Sequence, residues 1–168
     1  MSHFADIRTQ LTDALALRQA LEHLGFQVEA VEIPPNLSQK ELDEIAMCYC
    51  NSFSDTRRAH LIARHSELLQ QSTAIGFLWN ATVKTYDLQC DPYELRYSDL
   101  GTNWEYQRLN DAEIQRSLNQ RIQLEHDHAY VRQQYPSDQY IITENKVDNG
   151  IQLTIKPKTQ LVNIGAAV

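Results

Sequence analysis

The chain has 168 residues, of which 42% are hydrophobic and 22% charged. That length favours one domain with a core large enough to stand without metal or disulfide staples, and the composition excludes wholesale disorder. The 22 acidic residues against 15 basic ones leave a formal charge of −7; such a surface repels phosphate backbones, so nucleic acid is not an expected partner.

Residues 3–9 alternate loosely and read as a first strand. Residues 1–11 carry Asp6 and Arg8 and lack an apolar core segment, which argues against an export signal. Residues 13–25 follow as a helix, with Leu17, Ala20, Leu21 and Leu24 on one face, Thr12 or Asp13 as cap and Gly25 as terminator. Residues 26–33 alternate as a strand that Pro34-Pro35 stops.

Residues 36–72 read as an inserted helical hairpin. Ser38 and Glu41 have capping-box spacing, and Leu42, Ile45, Ala46, Tyr49 and Phe53 follow at helical intervals. A second helix is expected over 56–71, with Leu61, Ile62, Leu68 and Leu69 inward. Residues 75–89 and 93–98 are rich in aromatic and β-branched side chains and read as strands around a turn at Asp91-Pro92.

The longest helix is expected over 111–134, capped by Asp111, with Ile114, Leu118, Ile122 and Ala129 as its apolar stripe. Two strands, 140–147 and 151–156, flank Asp148-Asn149-Gly150, a tight-hairpin signal. Residues 157–168 read as a tail. The expected fold is α+β: a small antiparallel or mixed sheet in a single domain, 1–168, with helices on one face and the inserted hairpin. The closing hairpin is expected to share that sheet. No run approaches the roughly 20 apolar residues of a membrane span.

Cys48-x-Cys50, placed on a helix, points its thiols about 200° apart and cannot easily chelate one ion. With Cys90 the cysteines are odd in number, so reduced thiols in a cytoplasm-like compartment are expected, without disulfide, metal or other cofactor. His126 and His128, two apart on a helix, diverge as well, and the spacing of His60 and His65 is no better. Glu125 lies almost centred on the stripe of the long helix. Buried carboxylates are costly unless paired, so Glu125, His126 and Arg121, with Asn119 and Gln120, form a candidate polar site; the bland alternative is an exposed face with an Arg121–Glu125 pair. Trp79, Tyr86, Tyr93, Tyr97, Trp104 and Tyr106 crowd into a short stretch. They are either sheet core or interface, with Trp104 and Tyr106 in a loop as the more exposed. Together with Met47 and Cys50 of the expected hairpin, Trp104 and Tyr106 define a candidate protein-docking surface.

Met1-Ser2-His3-Phe4, Ile7-x-Thr9 and Leu24-Gly25-Phe26 at the N-terminus, Leu118-Asn119-Gln120-Arg121 in the long helix and the hairpin from Glu144 to Lys156 resemble a known family. It is the hypothetical-chloroplast-reading-frame family of cyanobacteria and red-algal plastids, a domain of unknown function. The resemblance covers about half of the chain, at its two ends. The chain departs from the pattern in its middle, and at Ile122 and Leu124, where the family commonly has tyrosines. The resemblance implies a cyanobacterial or plastid setting and a role in regulating or assembling photosynthetic machinery, and it carries over no catalytic residue. The expected function is a non-catalytic interaction or assembly factor whose partner is another protein, in the cytoplasm or plastid stroma. The alternative is a small-ligand binder or enzyme built on Glu125, His126 and Arg121.

Overall fold

The computed structural model describes residues 4–51, 53–68, 74–148 and 150–158. The chain divides into two compact units, Met1–Ala129 and Tyr130–Val168.

The first unit is built on a five-stranded antiparallel sheet. Strands β1 (Ala5–Ile7), β2 (Gln27–Ala30), β5 (Leu61–Arg64), β6 (Ile75–Asn80) and β7 (Thr85–Cys90) lie in the order β1-β7-β6-β5-β2. Cross-strand pairs fix the two faces: Leu61 opposes Phe77, and Phe77 opposes Leu88 on the far side. These residues are almost wholly buried and share one core with Leu17 and Leu21 of helix α1 (Ala14–His23) and with Ile114, Leu118 and Ile122 of helix α5 (Asp111–Gln134). The helical face is therefore the one sheet face that the α+β reading requires.

α1 forms as its sequence suggests. Asp13 accepts a bond from the Ala16 N–H at 2.7 Å, and Gly25 supplies the positive φ of +93° after the last turn. α5 spans the expected 111–134, but its cap is Asn110. The Asn110 side chain accepts from Glu113 N–H at 2.9 Å while the Glu113 carboxylate accepts from Asn110 N–H at 2.8 Å. Asp111 instead pairs with Arg96.

The inserted helical hairpin is not present. The capping box of Ser38 and Glu41 starts a short helix, α2 (Gln39–Ile45), which ends where Ala46 turns extended at ψ 136°. Strands β3 (Met47–Cys50) and β4 (Thr56–Ala59) then form a separate antiparallel ribbon, and β5 enters the main sheet; residues 69–71 of the expected helix lie outside the described ones. Leu61, Ile62 and Ala63 are all buried because β5 is covered on both faces. The covering on the second face is the ribbon: Tyr49, Phe4, Ala59, Ile62 and Ala74 form a smaller core there.

The strand pair expected around Asp91-Pro92 is also corrected. The hairpin turn lies at residues 81–84, and Asp91-Pro92 starts a helix, α3 (Pro92–Tyr97). Asp91 accepts bonds from Tyr93 and Glu94 N–H, and proline occupies the first turn, where no amide hydrogen is needed. A short helix α4 (Asp99–Asn103) and a 3-10 turn (Tyr106–Arg108) lead on to α5.

In the second unit, β8 (Tyr140–Val147) and β9 (Gly150–Pro157) pair with each other along their whole length and form their own two-stranded sheet, not an extension of the main one. Tyr135 and Tyr140 pack edge to face at 5.2 Å, and Arg132 reaches Glu144 at 3.3 Å. Asn149 and residues 159–168 lie outside the described residues.

Candidate functional site

The residues expected to dock a partner do not form one surface. Met47 is half-buried against the Phe4–Tyr49 core, while Cys50, three positions along the same strand, faces out and is exposed. Tyr106, expected in an exposed loop, is completely buried. Trp104 is half-buried, with its ring centroid 5.8 Å from Tyr106 and 6.3 Å from Phe26, and the Arg121 guanidinium sits 4.8 Å from its centroid. Arg121 thus covers an aromatic face instead of pairing with Glu125.

The polar residues of α5 also separate. The buried stripe steps from Ile122 to His126, not to Glu125. His126 is 2% exposed; its Nε2 accepts from Asp13 N–H at 3.3 Å and its Nδ1 meets Asp127 at 3.0 Å, so it ties α5 to the start of α1. Glu125 lies beside the stripe and pairs with His23 Nδ1 at 2.7 Å, a contact whose histidine is 70% exposed. Asn119 is half-buried and Gln120 exposed.

A concave feature of the first unit lies elsewhere. Two neighbouring cavities, of about 590 and 250 Å³, share Ala14, Val31, Glu32 and Tyr86 among their walls. The larger is open-sided and lies where α1 begins, β2 runs into α2 and β6 turns into β7. Its apolar wall includes Ile33, Pro34, Pro35, Leu42, Trp79 and Tyr86; Glu32 and Lys84 are exposed on it. Trp79 and Tyr86 are directly paired across β6 and β7 and meet edge to face at 4.9 Å. Burial pushes the Tyr86 hydroxyl up to about 12, with Asp13 adding to the rise, so it stays protonated and can donate a hydrogen bond.

His60 braces this region. Its Nδ1 accepts from Trp79 N–H at 2.9 Å, so its Nε2 carries the proton and donates to the Leu42 carbonyl at 2.8 Å. One neutral ring thereby joins β6 to α2, and burial holds its pKa below the ordinary 6.5. Its backbone N–H donates to Phe77 and its carbonyl accepts from Val31.

A second polar cluster lies between ribbon and sheet. Tyr49 Oη donates to Gln89 at 2.8 Å and Asn51 donates to Asp91 at 2.7 Å. Burial pushes the Tyr49 hydroxyl and the Cys90 thiol well above their ordinary ranges, which removes both as nucleophiles at neutral pH. These groups are bonded and enclosed, as a structural network is.

The groove was not singled out from sequence. Trp79 and Tyr86 stood in the aromatic crowd, and Pro34-Pro35 served only as a strand stop; what joins them is the return of residues 31–37 past the β6–β7 turn. Among the described residues no cluster of three His, Cys, Asp or Glu is arranged to hold a metal ion, and no helix is long and apolar enough to cross a membrane. Comparison with protein-family models, with curated proteins and with solved structures gives no match.

Proposed function

We propose that this chain is a non-catalytic binding module that holds a short segment of another protein in the groove beside Trp79 and Tyr86. The observation that supports it is the open-sided groove of about 590 Å³ with an edge-to-face aromatic pair in its wall. Small-molecule sites enclose most of their ligand, whereas an open trough with aromatic walls suits an extended chain whose proline or aromatic side chains drop between the rings. Glu32 and Lys84, of opposite sign, line a groove whose wall is mostly apolar, and a charge pair there favours one direction of binding. The shifted titratable groups nearby, His60 and Tyr86, are buried; His60 has both ring nitrogens engaged by the fold, which favours binding over proton transfer. The alternative on Glu125 is less supported, because its partner His23 is largely exposed. On the family resemblance of its two ends, we propose that such a module serves the assembly or regulation of photosynthetic machinery, in a cyanobacterial cytoplasm or plastid stroma.

Selection of displayed random peptides on the full chain tests this, with Ala81→Arg as the blocked variant, since Ala81 lines the groove. Enriched peptides are expected to carry proline or aromatic residues and to alter Trp79 fluorescence in a Trp104→Phe background, where Trp79 is the remaining tryptophan. The Ala81→Arg variant should weaken them by at least about tenfold, or about 1.4 kcal/mol. Peptides that bind both proteins alike, or no enrichment, would refute the groove as the site.

A further inference from the structure

Placing Cys48 and Cys50 on a strand reverses the geometric objection to their acting together. On β3 the side chains alternate, so Met47 and Tyr49 turn inward while Cys48 and Cys50 share the outer face, and both thiols are free and exposed. The residues opposite them in β4 are Arg58 and Thr56, also exposed. Two residues along a strand advance about 6.6 Å. That lies at the upper limit of about 6.8 Å between the α-carbons of a disulfide, whose sulfurs must approach to about 2.05 Å. The pair is poorly placed to close on itself. An ion that bonds each sulfur at about 2.3 Å tolerates sulfurs up to about 4.6 Å apart, within reach of the two side chains.

We propose that Cys48 and Cys50 form a two-thiolate site for a soft monovalent metal ion, with Cu(I) as the fitting chemistry. Thiolates select Cu(I) over harder ions, and Cu(I) is satisfied by two of them, so the site needs no third ligand. Binding displaces one proton from each thiol and changes no oxidation state: two thiols and Cu(I) give a bis-thiolate complex of charge −1 and two protons. Arg58, directly across from Cys48, places a positive charge on the same face as that anion. Exposure on the outer face of a two-stranded ribbon makes the ion exchangeable, as suits passage to a stronger ligand. Cys90 takes no part, being completely buried with its thiol pushed up by that burial.

The reduced full-length chain is titrated without oxygen with Cu(I) supplied as its acetonitrile complex, then challenged with a chromogenic Cu(I) chelator. One copper per chain is expected to be retained, with X-ray absorption showing two sulfur neighbours. Cys48→Ser and Cys50→Ser should each reduce retention from one to none without changing the melting temperature, because neither side chain is packed. Retention by either variant equal to the wild type overturns the proposal, as does no retention by the wild type. Half a copper per chain, with a dimer on gel filtration, overturns it too, because the thiolates then come from two molecules.

Discussion

Replacing Gly76 with alanine should separate the ribbon from the sheet. A β-carbon built at Gly76 would lie 2.1 Å from Tyr49 Oη and 2.5 Å from Cζ, against the roughly 3.5–4.0 Å of ordinary carbon contacts. The Tyr49 ring must therefore move by more than about 1 Å. Its hydroxyl bonds Gln89 at 2.8 Å, and Gln89 is the cross-strand partner of Gly76. Moving the ring leaves a buried amide oxygen without its donor, at about 1–3 kcal/mol, and overpacking adds about 1–3 kcal/mol. Alanine recovers about 0.5–1 kcal/mol through its better strand propensity. The net loss is about 1–5.5 kcal/mol, a large part of the roughly 5–15 kcal/mol that a domain has. Tyr49→Ala alone should cost about 3–5 kcal/mol. In the double variant the clash is gone and the Gln89 bond is lost only once, so the loss should fall short of the sum by at least about 2 kcal/mol. Urea unfolding followed by tryptophan fluorescence reads this, since Trp79 and Trp104 both report on the first unit. Losses that add to within about 0.5 kcal/mol would mean that Tyr49 does not sit on Gly76, and the strand assignment of residues 47–50 would fall with it.

Three further outcomes are expected. His60 is held neutral with a depressed pKa, so the unfolded chain binds a proton that the folded one does not; stability should be full above about pH 6.5 and fall below it, by up to about 1.4 kcal/mol per pH unit, and His60→Gln should flatten that slope in urea titrations across pH 5–7. Leu118→Ala, at a completely buried position of α5, should cost about 2–5 kcal/mol by thermal or urea unfolding, whereas a loss below about 1 kcal/mol would place α5 off the sheet. Ser38→Ala removes one half of the α2 capping box and should cost about 1 kcal/mol, read most directly as faster amide exchange at Glu41, whose N–H the serine accepts.

Where local chemistry decides, the chain was legible. The Asp13 cap and Gly25 terminator of α1, the stripe of Ile114, Leu118 and Ile122, and the hairpin of β8 and β9 follow from sequence spacing. Residues 36–72 misled because the period of 3.6 breaks at Ala46 without a glycine or proline to mark it. Tyr49 continues the helical stripe on paper, but its burial on Gly76 is a long-range contact that no local spacing displays. Leu61, Ile62 and Ala63 form an unbroken apolar run, which a strand covered on both faces shares with a buried helix. Asp91-Pro92 was readable: an aspartate before proline with Glu94 two residues on is a helix start as well as a turn. At Asn80 the signal was a single residue, whose side chain accepts from Thr82 N–H at 3.1 Å to shape the β6–β7 turn. The groove depends on that turn and on the path of residues 31–37, both set by long-range packing that no local spacing displays.

The sheet order has a consequence for how the chain is made. β1 and β2 are joined only through α1, yet they occupy opposite edges, with β7, β6 and β5 between them. Crossing four strand spacings takes about 19 Å, which the ten residues of α1, about 15 Å long, bridge with their flanking segments. Residues 5–30, made before the rest of this sheet, thus belong to its two margins while its centre does not yet exist. β2 must wait for β5, and β1 for β7, since Ala5 pairs with Cys90. The local meander from β5 to β7 has the shortest loops to close and is expected to form first, with the N-terminal segment folding around it afterwards. Chains arrested before residue 90 clears the exit tunnel should therefore leave β1 open to protease, and chains arrested well beyond it should not.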